Sequence, residues 1–249
     1  MTNPVVGVVC ALRSEARHLG RTTPKGAGIE ALPDGQLIAL TGMGPRAAAR
    51  GADALISAGA CALVSFGMAG GLDPQLGAGR IFLPSEVLAP DGALLPSNAW
   101  WRARVALALA ALAPVSGGRL VSVPVAVTTV DAKSALLRAS GARAVDMESS
   151  AVAALAYSHA LPFLAVRVIV DDAAASVPGV VTAATGADGQ ISVAQLCAAL
   201  LRRPQQLGAL LRLARGYFAA DRALAAAAAS GALWPAPSAA SAGPRAGLS

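Results

Sequence analysis

Short unbroken apolar runs recur along this chain, each followed by an alanine-rich stretch with helical spacing. Phe163–Val170 is the clearest, apolar at every position but Arg167. A strand apolar on both faces has to be covered on both, the situation of a parallel strand between helices. Val5–Cys10, Cys61–Phe66 and the shorter Gln36–Leu40 read the same way, with Arg80–Leu83 and Leu120–Val127 as further strands. Pro45–Ser57, Ser97–Leu112 and Ala144–Tyr157 carry helix formers at helical spacing. Strand and helix in alternation predict an α/β fold, a three-layer α/β/α sandwich with a mostly parallel central sheet. One domain is expected over residues 1–230. Past Val170, Ala174–Gly189 is turn-rich and Ser192–Ala228 helical, broken at Pro204. Residues 231–249, rich in Pro, Ser and Ala, are expected to form a disordered tail.

In such a sheet, ligands bind beyond the carboxyl ends of the strands. Three features fall there: Glu15 after the first strand, a glycine-rich turn Gly67-Met68-Ala69-Gly70-Gly71 after the third, and Asp171 after Phe163–Val170. Glutamate is scarce, with only Glu15, Glu30, Glu86 and Glu148 in the chain. On position alone, Glu15 reads first as a carboxylate favoured by a helix N-terminus with Ser14 as cap, and Glu148 as a solvated helix start capped by Asp146. Asp171 ends a buried strand, so desolvation should raise its proton affinity towards what a general acid needs near neutral pH. Arg167, a cation inside the same strand, requires a partner, for which Glu15 and Glu148 are the candidates.

Other chemistries find little support. Gly42-Met43-Gly44 lacks the third glycine of a dinucleotide loop, Gly67–Gly71 lacks the lysine of a phosphate-binding loop, and there is no Gly-x-Ser-x-Gly elbow. Neither His18 nor His159 has a neighbour at metal-ligand spacing, so no metal is expected. The net charge of +6 comes mostly from scattered arginines, with lysine only at Lys25 and Lys133. Aromatic residues are 4%, too few for base-stacking platforms, so no nucleic-acid partner is expected. The apolar runs are too short to span a bilayer. The start, Met1-Thr2-Asn3-Pro4, has no basic segment before Val5–Leu12, which predicts a cytoplasmic location. Cys10, Cys61 and Cys197 are unpaired in spacing and read as small core residues.

Five segments, in order, resemble the nucleoside phosphorylase/nucleosidase superfamily: Ala11-Leu12-Arg13-Ser14-Glu15, Thr41-Gly42-Met43-Gly44, Gly67-Met68-Ala69-Gly70-Gly71-Leu72, Val145-Asp146-Met147-Glu148-Ser149, and Leu161-Pro162-Phe163 through Arg167-Val168-Ile169-Val170-Asp171. The resemblance covers roughly residues 4 to 173 and implies a phosphorylase/hydrolase-like sandwich that cleaves the bond between a purine and its ribose. It further implies that Asp171 protonates the base, that Glu148 and Met147 hold the ribose, and that Glu15, helped by Arg167, orients an attacking water. Met68, Gly70 and Val145 would complete the binding site. No cofactor is implied, with inorganic phosphate as the alternative attacking group. Hydrolysis is favoured, because Glu15 stands at the water-activating position and the phosphorylases' Gly-Asp-Pro-x-Arg motif is missing; Arg13 and Arg46 are phosphate candidates by charge alone.

Departures narrow the substrate. Met68 stands where the family has Ser or Thr, Val170 where it has Ser, and no base-stacking aromatic occurs near Val125–Val130. Leu200-Leu201-Arg202-Arg203-Pro204 and the arginine-spaced Leu207–Arg222 resemble the hopanoid-associated branch, which implies adenosylhopane as substrate, an adenine nucleoside with an apolar substituent. A basic amphipathic helix there would suit peripheral membrane contact, although ordinary packing over the core explains it as well. A methylthioadenosine/adenosylhomocysteine nucleosidase and a non-catalytic nucleoside- or lipid-binding protein are the alternatives. The family resemblance implies a homodimer.

Overall fold

The fold is seen in a computed structural model that describes residues 4–20, 28–177 and 206–234. Its centre is β4 (Ala62–Gly71), which lies parallel to β11 (Phe163–Asp171) along most of its length. On its other edge β4 meets β1 (Val6–Cys10) in parallel pairing through Ser65, followed by β3 (Leu37–Leu40) and an antiparallel edge strand, β2 (Gly28–Ala31). Further along that edge, Gly70 and Gly71 pair antiparallel with β10 (Ala144–Asp146). From there the sheet continues through β9 (Arg119–Ser122), β6 (Glu86–Leu88) and β7 (Leu94–Pro96). On the far side of β11 come β5 (Ile81–Phe82) and β8 (Val115–Ser116).

β4 therefore forks the sheet. β1 stops pairing at Ser65 and β10 starts at Gly70, so among the described residues four positions of β4 face no strand on that edge. A topological switch of this kind opens a crevice at the strands' carboxyl ends.

Helices cover both faces. On one, α2 (Pro45–Ser57) and α5 (Ser149–Ser158) pack Ala48, Ala52 and Leu55 against Val152, Ala153 and Ala156. Pro45 occupies the first turn of α2, where a missing N–H costs nothing. The other face carries α1 (Arg13–Ala16), α3 (Ala99–Ala110) and α6 (Leu207–Ala229). There Trp101, Val105 and Leu109 share one core with Ala220 and Leu224, all fully buried. Burying each of the larger side chains is worth about 1.5–3 kcal/mol. Asn98 caps α3 by accepting the Trp101 N–H at 2.9 Å. A sixth helix, α4 (Val130–Ser140), is capped by Thr129 and ended by Gly141 in the left-handed conformation.

Several boundaries differ from those predicted. Gly67–Gly71 is the second half of β4 and not a turn, because β11 carries the pairing past Phe66. Ala144–Asp146 is strand, and the helix begins only at Ser149. Ser14 is not a cap; the capping position of α1 is Leu12. Cys61 is exposed, whereas Cys10 is buried. Leu233, placed by composition in the tail, is fully buried and Trp234 packs beside it. Ser192–Pro204, Cys197 and the tail from Pro235 lie outside the described residues, as does Ala174–Gly189 beyond Val177. Among the described residues, no helix is long and apolar enough to cross a membrane.

Candidate active site

The crevice beside β4 is filled by carboxylates. Glu15 leaves the first turn of α1 and folds back onto the backbone that precedes it. Its Oε2 accepts the N–H groups of Ala11 at 3.2 Å and Leu12 at 3.0 Å, and its Oε1 accepts that of Met68 at 2.9 Å. The Met68 N–H is a backbone donor left without a strand partner by the fork, so the side chain stands in for the missing ladder bond. Burial pushes the Glu15 carboxyl up, opposed by Arg167 and these three amides.

Arg167 points from β11 across β4, over Gly67. A Cβ at Gly67 would lie 2.7 Å from Arg167 Nη1 and 2.5 Å from Glu15 Oε1, so only glycine lets both groups approach. The guanidinium donates to Asp146 Oδ2 through Nε at 2.9 Å, and through Nη2 to Ser65 Oγ at 2.6 Å and Ser149 Oγ at 2.9 Å. The partner is thus Asp146, and neither Glu15 nor Glu148 forms the ion pair. Asp146 ends β10, close to the Gly67–Gly71 half of β4, where the arginine arrives. Asp146 is further held by Ser122 Oγ at 2.5 Å and the Ser149 N–H at 3.1 Å. The pair is buried, with partners on Nε and Nη2 of the guanidinium and on both Asp146 oxygens, as such a pair requires.

Glu148 lies two residues past Asp146, at the capping position of α5. Its Oε1 accepts the Gly44 N–H at 2.8 Å, tying α5 to the loop before α2. Gly42 and Gly44 hold that loop with positive φ (81° and 97°), a conformation that side-chain-bearing residues resist. Glu15, Asp146 and Glu148 surround a single guanidinium, so the buried cluster carries more negative charge than its cation can balance. Burial first, and Asp146 second, push the Glu148 carboxyl up to about 7.

Asp171 closes the other end. It is the last residue of β11, 8% exposed, opposite Gly70. A Cβ at Gly70 would come within 3.4 Å of Asp171 Oδ1 and 3.3 Å of Val145 Cγ1, so the missing side chain leaves room between them. Asp171 Oδ2 is bound by Lys133 Nζ of α4. Burial raises the carboxyl above the usual carboxylate range even though the ammonium pulls it down. Beside it, between the end of β11 and α6, lies a cavity of about 260 Å³ whose lining includes Val170, Asp172, Arg212 and Arg215.

Glu15 and Arg167 therefore meet at Gly67 in the open segment of β4, Asp171 and Val145 flank Gly70 at its end, and Glu148 is coupled by charge to Asp146, Arg167 and Glu15. Met68 contributes its backbone N–H, while its side chain packs on the core. Met147 is half-buried between Asp146 and Glu148. Sequence reasoning missed the parts played by Asp146, Ser65, Ser122, Ser149 and Lys133. Only Lys133 carried a signal, as one of two lysines in a chain whose basic residues are otherwise arginine.

A mostly parallel, forked sheet between helix layers, with buried carboxylates gathered near the fork, defines an α/β fold with a candidate site at its switch point. Residues 6–203 match the Phosphorylase superfamily, and the chain belongs to it. Similar solved structures include the 5'-methylthioadenosine/S-adenosylhomocysteine nucleosidase of Neisseria meningitidis in complex with methylthio-immucillin-A (TM-score 0.68, 19% identity, 91% of this chain and 97% of that one). The corresponding Helicobacter pylori nucleosidase with butyl-thio-DADMe-Immucillin-A has a TM-score of 0.65 at 15% identity, covering 91% and 98%. Futalosine hydrolase of Helicobacter pylori has a TM-score of 0.62 at 16% identity, covering 85% and 97%. At these identities the likeness is one of fold. No curated protein matches the sequence significantly.

Proposed function

We propose that the protein is a nucleosidase that hydrolyses the N-glycosidic bond of an adenine nucleoside. The observation that carries this reading is the placement of Glu15 and Asp171 on either side of one short strand segment. Glu15 accepts the Met68 N–H and crowds Gly67, and Asp171 lies against Gly70 further along the same strand. A water that attacks the sugar opposite the leaving base needs room between the base catalyst and the sugar, as in inverting glycosidases.

In this reading Asp171 donates its proton to a purine ring nitrogen while the C1'–N bond breaks and its electron pair leaves with the base. Water attacks C1' from the opposite side and gives its proton to Glu15. Arg167 acts through Asp146, Ser65 and Ser149, holding the wall against which Glu15 is set. Glu148 grips the ribose hydroxyls, with Met147, Gly70, Val145 and the backbone of Met68 lining sugar and base. The oxocarbenium-like sugar gains from the surplus negative charge around Arg167.

Water is favoured over phosphate by what Glu15 does to the backbone. Three N–H groups that could form an anion-binding nest are already spent on its carboxylate. For the substituent, we favour an apolar one such as the hopane of adenosylhopane. Val170 lines the cavity beside Asp171, and α6 exposes Leu207, Leu211 and Phe218 with Arg212 and Arg215 nearby. A homodimer in the cytoplasm, with peripheral membrane contact through α6, fits the same reading; the Leu200–Pro204 part of that resemblance lies outside the described residues.

The test is adenine release from adenosylhopane, methylthioadenosine and adenosylhomocysteine, each with and without phosphate. Phosphate-independent release, fastest from adenosylhopane, is expected. Preference for the other two nucleosides identifies a methylthioadenosine/adenosylhomocysteine nucleosidase. Phosphate-dependent release contradicts the role of Glu15, and tight binding without release identifies a non-catalytic binder.

A further inference from the structure

Lys133 enters no step above, yet it is fully buried and sits against Asp171. It projects from the first turn of α4, 38 residues away in the chain. An ammonium has three N–H donors, and all three are used: on Asp171 Oδ2, on the Asp172 carbonyl at 2.7 Å and on the Ala175 carbonyl at 2.9 Å. A neutral amine, with two donors, would turn its lone pair on one of these buried oxygens. The site is built for a cation.

We propose that Lys133 is the positioning residue for Asp171, anchoring Oδ2 and the following loop so that Oδ1 faces the gap beside Gly70 with a fixed positive charge behind it. This rests on the nucleosidase reading, in which Asp171 is the proton donor. Two consequences follow from the geometry. The carboxyl cannot rotate away from the base, because one oxygen is tied to α4. When Oδ1 has given its proton to the leaving purine, the resulting carboxylate is paired at once with the ammonium, so no buried charge is left uncompensated. The loop is sewn to the same region by the Val177 N–H, which the Thr128 carbonyl accepts at 2.8 Å.

The other charged groups near Asp171 are few. Asp172, on the same segment, opposes ionisation, and Arg212 and Arg215 of α6 line the cavity beside it. β4 and β10 present Gly70 and Val145, which carry no charge. Lys133 is the one cation that bonds Asp171 directly among the described residues.

The experiment compares the full-length wild type with K133M and K133R, each checked for a wild-type circular dichroism spectrum. Two quantities are followed: the pH profile of kcat/KM for adenine release, and the ¹³C NMR titration of the Asp171 carboxyl, assigned with D171N. Removal of the cation in K133M is expected to move both the titration and the alkaline limb upward by about one pH unit or more. In the same variant kcat falls roughly tenfold or more. KM stays within about threefold, because the loss is in the transition state. K133R, which keeps the charge, is expected to hold the titration within about half a pH unit of wild type. An unmoved titration in K133M overturns the proposal, as does a K133R shifted as far as K133M, which would leave Lys133 a packing role only. If K133M does not fold, K133R decides alone, and an upward move of about one pH unit or more contradicts the assignment. The NMR titration needs no turnover. A wild type that releases no adenine therefore defeats the nucleosidase reading, while the titration still tests Lys133.

Discussion

Glu148 lies in a cluster where three buried carboxylates share one guanidinium, and that arrangement has a measurable thermodynamic consequence. Its carboxyl rises from an ordinary 4.5 to about 7 in the folded chain. A carboxyl that binds its proton more tightly when folded contributes stability fully present below about pH 4.5. That contribution is lost as pH rises through about 7, because the unfolded chain releases the proton more readily. Each pH unit corresponds to about 1.4 kcal/mol, so the ionised residue costs the fold about 3 kcal/mol at pH 8. The substitution Glu148→Gln removes the charge and keeps an oxygen for the Gly44 N–H. It should raise stability by less than about 1 kcal/mol at pH 5 and by about 3 kcal/mol at pH 8. For a chain of this size that is a rise in Tm of about 6–12 °C. Differential scanning calorimetry of both forms at the two pH values measures it. A gain of equal size at both pH values, or a loss at pH 8, would refute the charge argument. Under the proposed function, the same variant releases adenine more slowly although it is more stable.

Three other substitutions probe separate parts of the site. Arg167→Met leaves Asp146 buried beside Ser122 without its cation and should destabilise the fold by about 3–5 kcal/mol, read by urea denaturation; an effect under about 1 kcal/mol contradicts the role of the ion pair. Gly67→Ala puts a methyl group 2.5 Å from Glu15 Oε1, so the carboxylate has to leave its three amides; adenine release should fall about 100-fold or more, and unchanged kinetics would exclude Glu15 from the reaction. Asp171→Asn removes the proposed proton donor and should lower kcat by about 10²–10⁴-fold with nucleoside affinity largely kept; a variant with near-wild-type kcat needs another acid.

The large strands were legible because their residues are apolar on both faces, which few other structures permit. Val6–Cys10, the first half of β4 and Phe163–Asp171 emerge at nearly their predicted positions. The strands β2, β6 and β7, of three or four residues each, have too few residues for periodicity to separate them from loop. Gly67–Gly71 looked like a turn because glycine weakens a strand when judged locally; here it admits Glu15, Arg167 and Asp171 to the backbone. The partner of Arg167 depended on register. Asp146 and Glu148 are two residues apart, and only the pairing of β10 with the end of β4 decides which one meets the guanidinium. The contact of Lys133 with Asp171 joins a helix and a strand end 38 residues apart, and no local pattern encodes that distance.

In the proposed reaction one sugar–purine linkage sits between Glu15 and Asp171 with its ribose on Glu148. An experimental structure of the protein with a non-hydrolysable adenine nucleoside analogue tests it most directly. A purine ring nitrogen is expected within about 3 Å of Asp171 Oδ1, and the ribose hydroxyls at similar distance from Glu148. A water is expected between Glu15 and C1'. A ligand bound elsewhere, or bound there with its base turned away from Asp171, would contradict it.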